Sequence, residues 1–295
     1  MRNLLRANFS RLWKSKALWL CAAGAFAFSA AFLLGLRADP EGGTTLDEAF
    51  GQVFPFLPLL YAAFLSLFLG VEYQDGTLRN KIIAGHARWK VYAASLLSGA
   101  AGCWVVLLGW LLSIPIGVLK FGWFTAPAAG LALELAVALG IAAAIAAILT
   151  LLGMLLPNRA VAAVLAILLV LGLLLLGSVL YNALWEPEYL TGMVMTANGI
   201  EMGEAQPNPN YISGALRTVF QFLVDTLPTG QSILLANQEL GRPGLSLAAS
   251  GAIVLLCSGC GVATLSIDYY ELGTITGQMA VKILKGEADI STMAI

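Results

Sequence analysis

Hydrophobic residues in this chain gather into six long apolar runs separated by short polar breaks. The runs cover about 17–36, 53–71, 92–119, 127–156, 160–181 and 244–267. At ~1.5 Å per residue, ~20 helical residues cross the ~30 Å hydrocarbon layer. In lipid, backbone groups are satisfied only within a helix or a closed barrel. The pattern therefore predicts an all-α integral membrane protein with six transmembrane helices. Breaks carry charge, proline or glycine, as at Pro157-Asn158-Arg159. The third and fourth runs are longer than a perpendicular crossing needs, so a tilt or a kink is expected, for instance at Pro115. Pro55 and Pro58 stand near the start of the second run, where a helix has free backbone donors in any case.

Ahead of the first run, Leu4, Leu5, Phe9, Leu12 and Trp13 recur at helical spacing among Arg2, Arg6, Arg11, Lys14 and Lys16. This reads as an amphipathic helix lying in the membrane interface. A basic start before an apolar run also fits a cleaved signal peptide. The run from Ala17 to about Leu36 is too long for a signal core, and it is read as the first span.

Lysine and arginine then set the orientation, because cytoplasmic connections carry the excess of bases. With the N-terminus inside, Arg2, Arg6, Arg11, Lys14, Lys16, Arg79, Lys81, Arg88, Lys90, Arg159, Lys282 and Lys285 are cytoplasmic. Only Arg37, Lys120, Arg217 and Arg242 face outward, twelve bases against four, so both termini are expected in the cytoplasm. The outer connections also collect acids, among them Asp39, Glu41, Asp47, Glu48, Glu186, Glu188, Glu201 and Glu204. The external connection 182–243 is long, and within it Leu216, Val219, Phe220, Leu223 and Leu227 share one face of a helix from Gly214 to Leu227. That helix is expected to rest on the outer surface or to cap a cavity.

Composition agrees with a bilayer. The chain is 59% hydrophobic and 11% charged, with a mean hydropathy of +0.84, whereas soluble domains carry about 25% charged residues. No basic patch outside short loops suggests a nucleic-acid partner. Cys21, Cys103, Cys257 and Cys260 all fall in apolar stretches, where free cysteine behaves as a small hydrophobe. The Cys257-Ser-Gly-Cys260 spacing matches a redox or metal pair, but its flanks are apolar and offer no cation to stabilise a thiolate. His86 is the single histidine, and no metal site is expected. There is no phosphate-cradling G-x-x-x-x-G-K-[ST] run, no G-x-S-x-G elbow and no H-E-x-x-H. Nor do paired carboxylates stand on one buried helix. No catalytic machinery is expected in the chain itself, and any energy it uses must come from elsewhere.

The richest polar stretch is the cytoplasmic connection 72–91. Glu72 and Asp75 lead out of the second span, and Gly76-Thr77 offers a turn whose threonine caps a short helix from Leu78 to about Ile83. Leu78, Ile82 and Ile83 form its apolar contacts, with Arg79 and Lys81 on other faces. Such a helix suits docking into a groove on a soluble partner; a solvated basic loop that enforces topology is the plainer alternative. The string Glu72-Tyr73-x-Asp75-Gly76-Thr77-Leu78-Arg79-Asn80-Lys81-x-x-x-Gly85-His86-x-Arg88 resembles the cytoplasmic loop of ATP-binding-cassette (ABC) transporter permeases of the type-2 exporter class. The resemblance extends to the basic N-terminal helix, the six spans and Leu227-Pro228-Thr229-Gly230-Gln231, covering about residues 1–260.

The resemblance implies a coupling helix at 72–91 with Glu72, Asp75, Gly76, Thr77, Arg79 and Lys81 as ATPase-coupling residues. It implies a separate ABC ATP-binding subunit that binds the ATP and magnesium, with no cofactor in this chain. It also implies a second permease copy or a related permease, a bacterial plasma membrane, and export of a lipid, drug or antimicrobial peptide. The tail departs from this pattern. From Asp268-Tyr269-Tyr270 to Gly286-Glu287-Ala288-Asp289 it is similar to the end of substrate-binding proteins of ABC importers, and residues 268–295 read as a cytoplasmic tail, a fusion or a foreign segment. By itself the tail suggests an amphipathic helix from about Leu272 to Lys285.

Two features remain inside the spans. Glu134 lies about seven residues into the fourth run, roughly 10 Å along its axis. An acid within a span raises a functional reading by default, and a span starting near Leu131 would make it interfacial instead. Gly251, Gly259 and Gly261 permit close helix approach. The rival class is a gradient-driven transporter or channel without an ATPase, for which Glu134 is the one intramembrane acid on offer.

Overall fold

A computed structural model of the chain describes residues 1–36, 44–74, 81, 84–156, 158–191, 193–196, 199–202, 205–264, 281 and 285, with backbone alone for 72–74, 159, 193–196, 199–202, 263 and 264. Among the described residues, six helical segments are long and apolar enough to cross a membrane: Lys16–Gly35, Leu46–Val71, Arg88–Phe121, Ala128–Leu155, Ala160–Trp185 and Pro243–Val262. They overlie the six apolar runs, and the chain is an all-α, multi-pass membrane protein.

Helix α1 (Arg2–Lys14) is amphipathic, burying Leu4, Asn8 and Leu12, and ends one residue before α2 (Lys16–Gly35). The second crossing is interrupted. A short α3 (Leu46–Gly51) and a 3₁₀ turn at Phe54–Phe56 precede α4 (Leu57–Gln74). The third crossing breaks as its length and Pro115 suggested. Helix α5 (Arg88–Leu111) turns at Leu112-Ser113 and restarts as α6 (Ile114–Phe121), with Pro115 in its first turn, where no backbone donor is needed. Uninterrupted α7 (Ala128–Leu155) and α8 (Arg159–Trp185) follow, the latter capped by the Asn158 side chain accepting from Ala160 and Val161 amides.

Helices α4 and α7 form the centre. Buried residues make up 61% and 56% of their apolar windows, against 22% for α8 and 17% for the last crossing, which leaves the latter two as outer staves. Close approach depends on glycine. A Cβ on Gly109 of α5 would stand 2.3 Å from the Ala22 carbonyl oxygen of α2, and one on Gly102 would stand 2.3 Å from the Phe64 ring of α4. Small residues let helix backbones meet in lipid, where dispersion rather than hydrophobicity drives association.

The connection 182–243 holds more structure than its polarity suggested. Short strands β1 (Tyr189–Leu190) and β4 (Gln206–Pro207) pair antiparallel, as do β2 (Met193–Thr196) and β3 (Gly199–Met202). After α9 (Gly214–Thr226), a second helix, α10 (Pro228–Ala236), is buried along its whole length, and α11 (Pro243–Thr264) then makes the last crossing. The expected surface helix at 214–227 is thus one arm of a hairpin whose other arm dips back into the bundle against α8 and α7. Of the tail, only Val281 and Lys285 are described, with the Lys285 amide donating to Val281 O at 3.0 Å. The remainder of 268–295 lies outside the described residues.

Candidate functional site

The candidate chemistry lies at the two ends of the bundle. At the first, α4 runs outward and Glu72 belongs to its last turn, its side chain outside the description. Asp75, Gly76, Thr77 and Arg79 lie outside the described residues, as do Leu78, Ile82 and Ile83, so the short capped helix falls outside them too. Lys81 is described, and its Nζ donates to Asn8 Oδ1 of α1 at 3.0 Å. Asn8 is 3% exposed, so this bond sits in a shielded setting, where a hydrogen bond to a charged group is stronger than a neutral one. The His86 amide donates to Lys81 O at 3.3 Å, and Gly85 between them adopts φ +84°, a conformation glycine reaches without a Cβ clash.

Helix α1 grips both helices that flank this connection. Leu4 packs with Val91 and Ala94 of α5, and the Arg11 guanidinium stands 4.3 Å above the Phe68 ring of α4. A cation over an aromatic face is attracted by the ring quadrupole. The basic face of α1, which reads from sequence as a membrane-surface feature, therefore also fastens the α4–α5 connection.

At the opposite end, α5 has climbed its 24 residues from Arg88 to Leu111, roughly 36 Å. Here α3 begins with a capping box: Thr45 accepts from the Glu48 amide and Glu48 accepts from the Thr45 amide, both at 3.3 Å. The box places Asp47 in the first turn. Its Oδ2 accepts from the Thr125 amide at 2.7 Å and the Thr125 hydroxyl at 2.5 Å, fastening α3 to the α6–α7 connection. Phe50, one turn on, stacks on Trp110 with centroids 3.9 Å apart and meets the Phe124 edge at 6.1 Å; Phe54 approaches Trp110 edge-on at 5.4 Å.

These rings wall a cavity of about 210 Å³, lined on other sides by Glu134, Leu135 and Ala138 of α7, by Leu235 of α10 and by Gln238 just after it. Helix α7 starts at Ala128, which puts Glu134 in its second turn, half-buried in the cavity wall with Asp47. Asp47, which reads from sequence as one of several acids in an outer loop, is 7% exposed and helical. Its bonds from Thr125 hold it inward. Lys120, counted as an outer base, caps α2 by donating to the carbonyl oxygens of Leu33 at 3.0 Å, of Leu34 at 2.7 Å and of Leu36, which is where a helix C-terminus favours a cation.

The Leu227-Pro228-Thr229-Gly230-Gln231 stretch builds the hairpin that closes the cavity from below. Pro228 opens α10. The Thr229 hydroxyl donates to Leu173 O of α8 at 2.8 Å. Gln231 Nε2 donates to Asp225 O at 3.0 Å and Ser246 O at 3.1 Å, while its Oε1 accepts from Ser250 at 3.1 Å. A Cβ on Gly230 would stand 2.5 Å from Val224 O, so only glycine lets α9 and α10 meet. Asp225 beside this network is 2% exposed. Burial pushes its carboxyl above the usual range, against the pull of Gln221 at 3.2 Å and Arg242 at 3.6 Å.

Among the small residues singled out from sequence, Gly261 meets the Tyr92 ring, at 2.0 Å from where its Cβ would be, while Gly251 and Gly259 face open space. Cys21 and Cys103 are buried in the core, Cys257 is half-buried and Cys260 exposed. The sequence reading missed the roles of Asp47, Phe50, Trp110 and Phe124, because they reach one cavity from separate segments. The signal available was a carboxylate near each of two span ends, at 47 and 134. No protein-family model matches this chain, and no curated protein matches it significantly.

Proposed function

We propose that this chain is the membrane-spanning permease subunit of an ABC exporter in a bacterial plasma membrane, with both termini in the cytoplasm. ATP is hydrolysed by a separate subunit, which docks on the connection between α4 and α5, and a second permease copy or a related permease completes the transporter. The cargo class is a lipid, a drug or an antimicrobial peptide.

The observation that carries this reading is the Glu72–Arg88 connection itself, whose residues resemble the coupling loop of such permeases. Two features support it. Lys81 joins the connection to Asn8, and α1 holds α4 and α5 together. A push on the connection would therefore reach the second and third crossings at once. Glu72, Asp75, Gly76, Thr77, Arg79 and Lys81 are the residues assigned to this transmission.

The test is affinity recovery of the tagged chain from native membranes in mild detergent, with mass spectrometry of what accompanies it. A P-loop ATPase should accompany the wild type and be lost with Glu72→Ala and Gly76→Pro, while insertion persists. Recovery of a stable, inserted chain without any ATPase defeats the reading.

One observation favours a gradient-driven transporter as the alternative. Asp47 and Glu134 share a cavity wall within crossing segments, and ionisable groups inside membranes mark ion or substrate paths. Transport by the purified chain in liposomes without ATP would support that reading instead.

A further inference from the structure

The cavity between α3, α5 and α7 combines features that apolar packing does not require. Its wall carries two carboxylates, Asp47 and Glu134, and no lysine, arginine or histidine among its described lining residues. Asp47 spends only one oxygen. Oδ2 takes both bonds from Thr125, while Oδ1 is buried with no hydrogen-bond partner among the described residues. Asp47 is 7% exposed, so water does not make up the loss freely. A buried carboxylate oxygen left unmatched is costly, and two acids in one wall favour a positive guest.

The rest of the wall says which kind. Phe50, Phe54, Trp110 and Phe124 line it, with Phe50 and Trp110 stacked so that each covers one face of the other, and cations are attracted to uncovered aromatic faces, tryptophan above all. A hard metal ion needs ~6–8 oxygen ligands, and no group of three or more His, Cys, Asp or Glu among the described residues is placed to hold one. A bare primary ammonium is a compact, strongly hydrated charge that would have to shed its water against a largely apolar wall. An alkylated ammonium presents carbon to the rings and has few or no donors left to satisfy. At about 210 Å³ the space falls below the ~300 Å³ at which whole drug-sized ligands begin to fit, so it suits a headgroup-sized cation. Half-buried Glu134 and exposed Gln238 and Leu135 mark its mouth.

We propose that this cavity binds an alkylated ammonium, the group carried by a choline-type lipid headgroup or by a free organic cation. The carboxylates of Asp47 and Glu134 supply the charge, and the rings supply the uncovered faces. Binding needs no ATPase, so it is measurable on the isolated chain, and its failure leaves the permease reading standing.

The experiment is calorimetric titration of choline into the purified chain in phosphatidylglycerol nanodiscs, with empty discs as the blank. The uncharged carbon isostere of choline, a tert-butyl group replacing trimethylammonium, is titrated in parallel. Saturable choline binding is expected, weakened about tenfold or more by Glu134→Gln and by Phe124→Leu, with the isostere binding no better than those variants bind choline. Phosphatidylcholine discs separate the sources. Loss of added choline binding there assigns the site to the lipid headgroup, and undiminished binding assigns it to a free cation; each upholds the ammonium site. Equal binding of choline and its isostere to the wild type would overturn the proposal, independently of how the variants fold, as would unchanged affinity in well-folded Glu134→Gln.

Discussion

At the α1 end of the bundle, the residues of interest follow one another in the chain from Glu72 to Arg88, and Lys81 reaches back to Asn8. At the cavity end they arrive from 47–54, 110–114, 124–138 and 235–238, and no two of these segments are neighbours in sequence. In the proposed reading, the first kind of site works through residues contiguous in the chain and can be recognised as a string. The second works through enclosure, which exists only once helices have broken and packed. The chain spends its regular helices on α7 and α8 and places its irregular ones, α3, α6 and α10, around the cavity. Broken helices at membrane depth are tolerated where they line protein interior rather than lipid.

The sharpest way to separate the ends is to collapse one. Gly230→Val drives a side chain into the Val224 backbone, which cannot yield. Its expected cost is on the order of 3 kcal/mol, seen as a lowered thermal midpoint in detergent, with choline binding lost as the cavity floor shifts. Gly251→Val, which meets nothing within 4 Å, should leave both unchanged. Asn8→Leu strikes the other end. Losing a shielded acceptor for Lys81 should cost roughly 1.5 kcal/mol and loosen the α4–α5 connection without altering choline affinity. Equal damage to that affinity would mean that the ends are not separate.

Much of the scaffold is readable because hydropathy averages over whole helices. The six crossings follow from the apolar runs, α1 from its alternating basic and apolar faces, and the α5–α6 break from excess length and Pro115. The buried arm α10 escaped because Pro228 to Ala236 is too short to register as a span, and its polar Thr229, Gln231 and Ser232 look like loop residues. Their burial follows from bonds to α8 and α11 that periodicity cannot contain. Asp47 escaped for a similar reason. Its neighbours Thr45 and Glu48 form a capping box readable in principle, but the inward direction is set by Thr125, seventy-eight positions away.

Two smaller effects refine the contrast. Thr125→Val keeps the backbone donor to Asp47 and removes the hydroxyl, so it should cost about 1 kcal/mol and weaken choline binding only modestly; a full loss would show that α3 depends on that hydroxyl. The smallest effect concerns acidity. Because burial raises the Asp225 carboxyl, the folded chain holds this proton more tightly than the unfolded one. Its contribution to stability is therefore greatest at low pH and declines as pH rises from the unfolded carboxylate range through the raised folded value. Asp225→Asn should flatten that part of the stability profile, measured by unfolding across acidic pH.

The proposed function puts the two ends on opposite faces of one bilayer, and labelling tests this directly. With Cys257 and Cys260 changed to alanine and the buried Cys21 and Cys103 left in place, one exposed cysteine is introduced at a time, by Ala84→Cys beside the α4–α5 connection or by Trp123→Cys beside the cavity. In intact spheroplasts a membrane-impermeant maleimide should label the cysteine at 123 alone, and the cysteine at 84 only after permeabilisation. Labelling of both positions from the same side would contradict the arrangement and with it the assignment of the α4–α5 connection to a cytoplasmic ATPase.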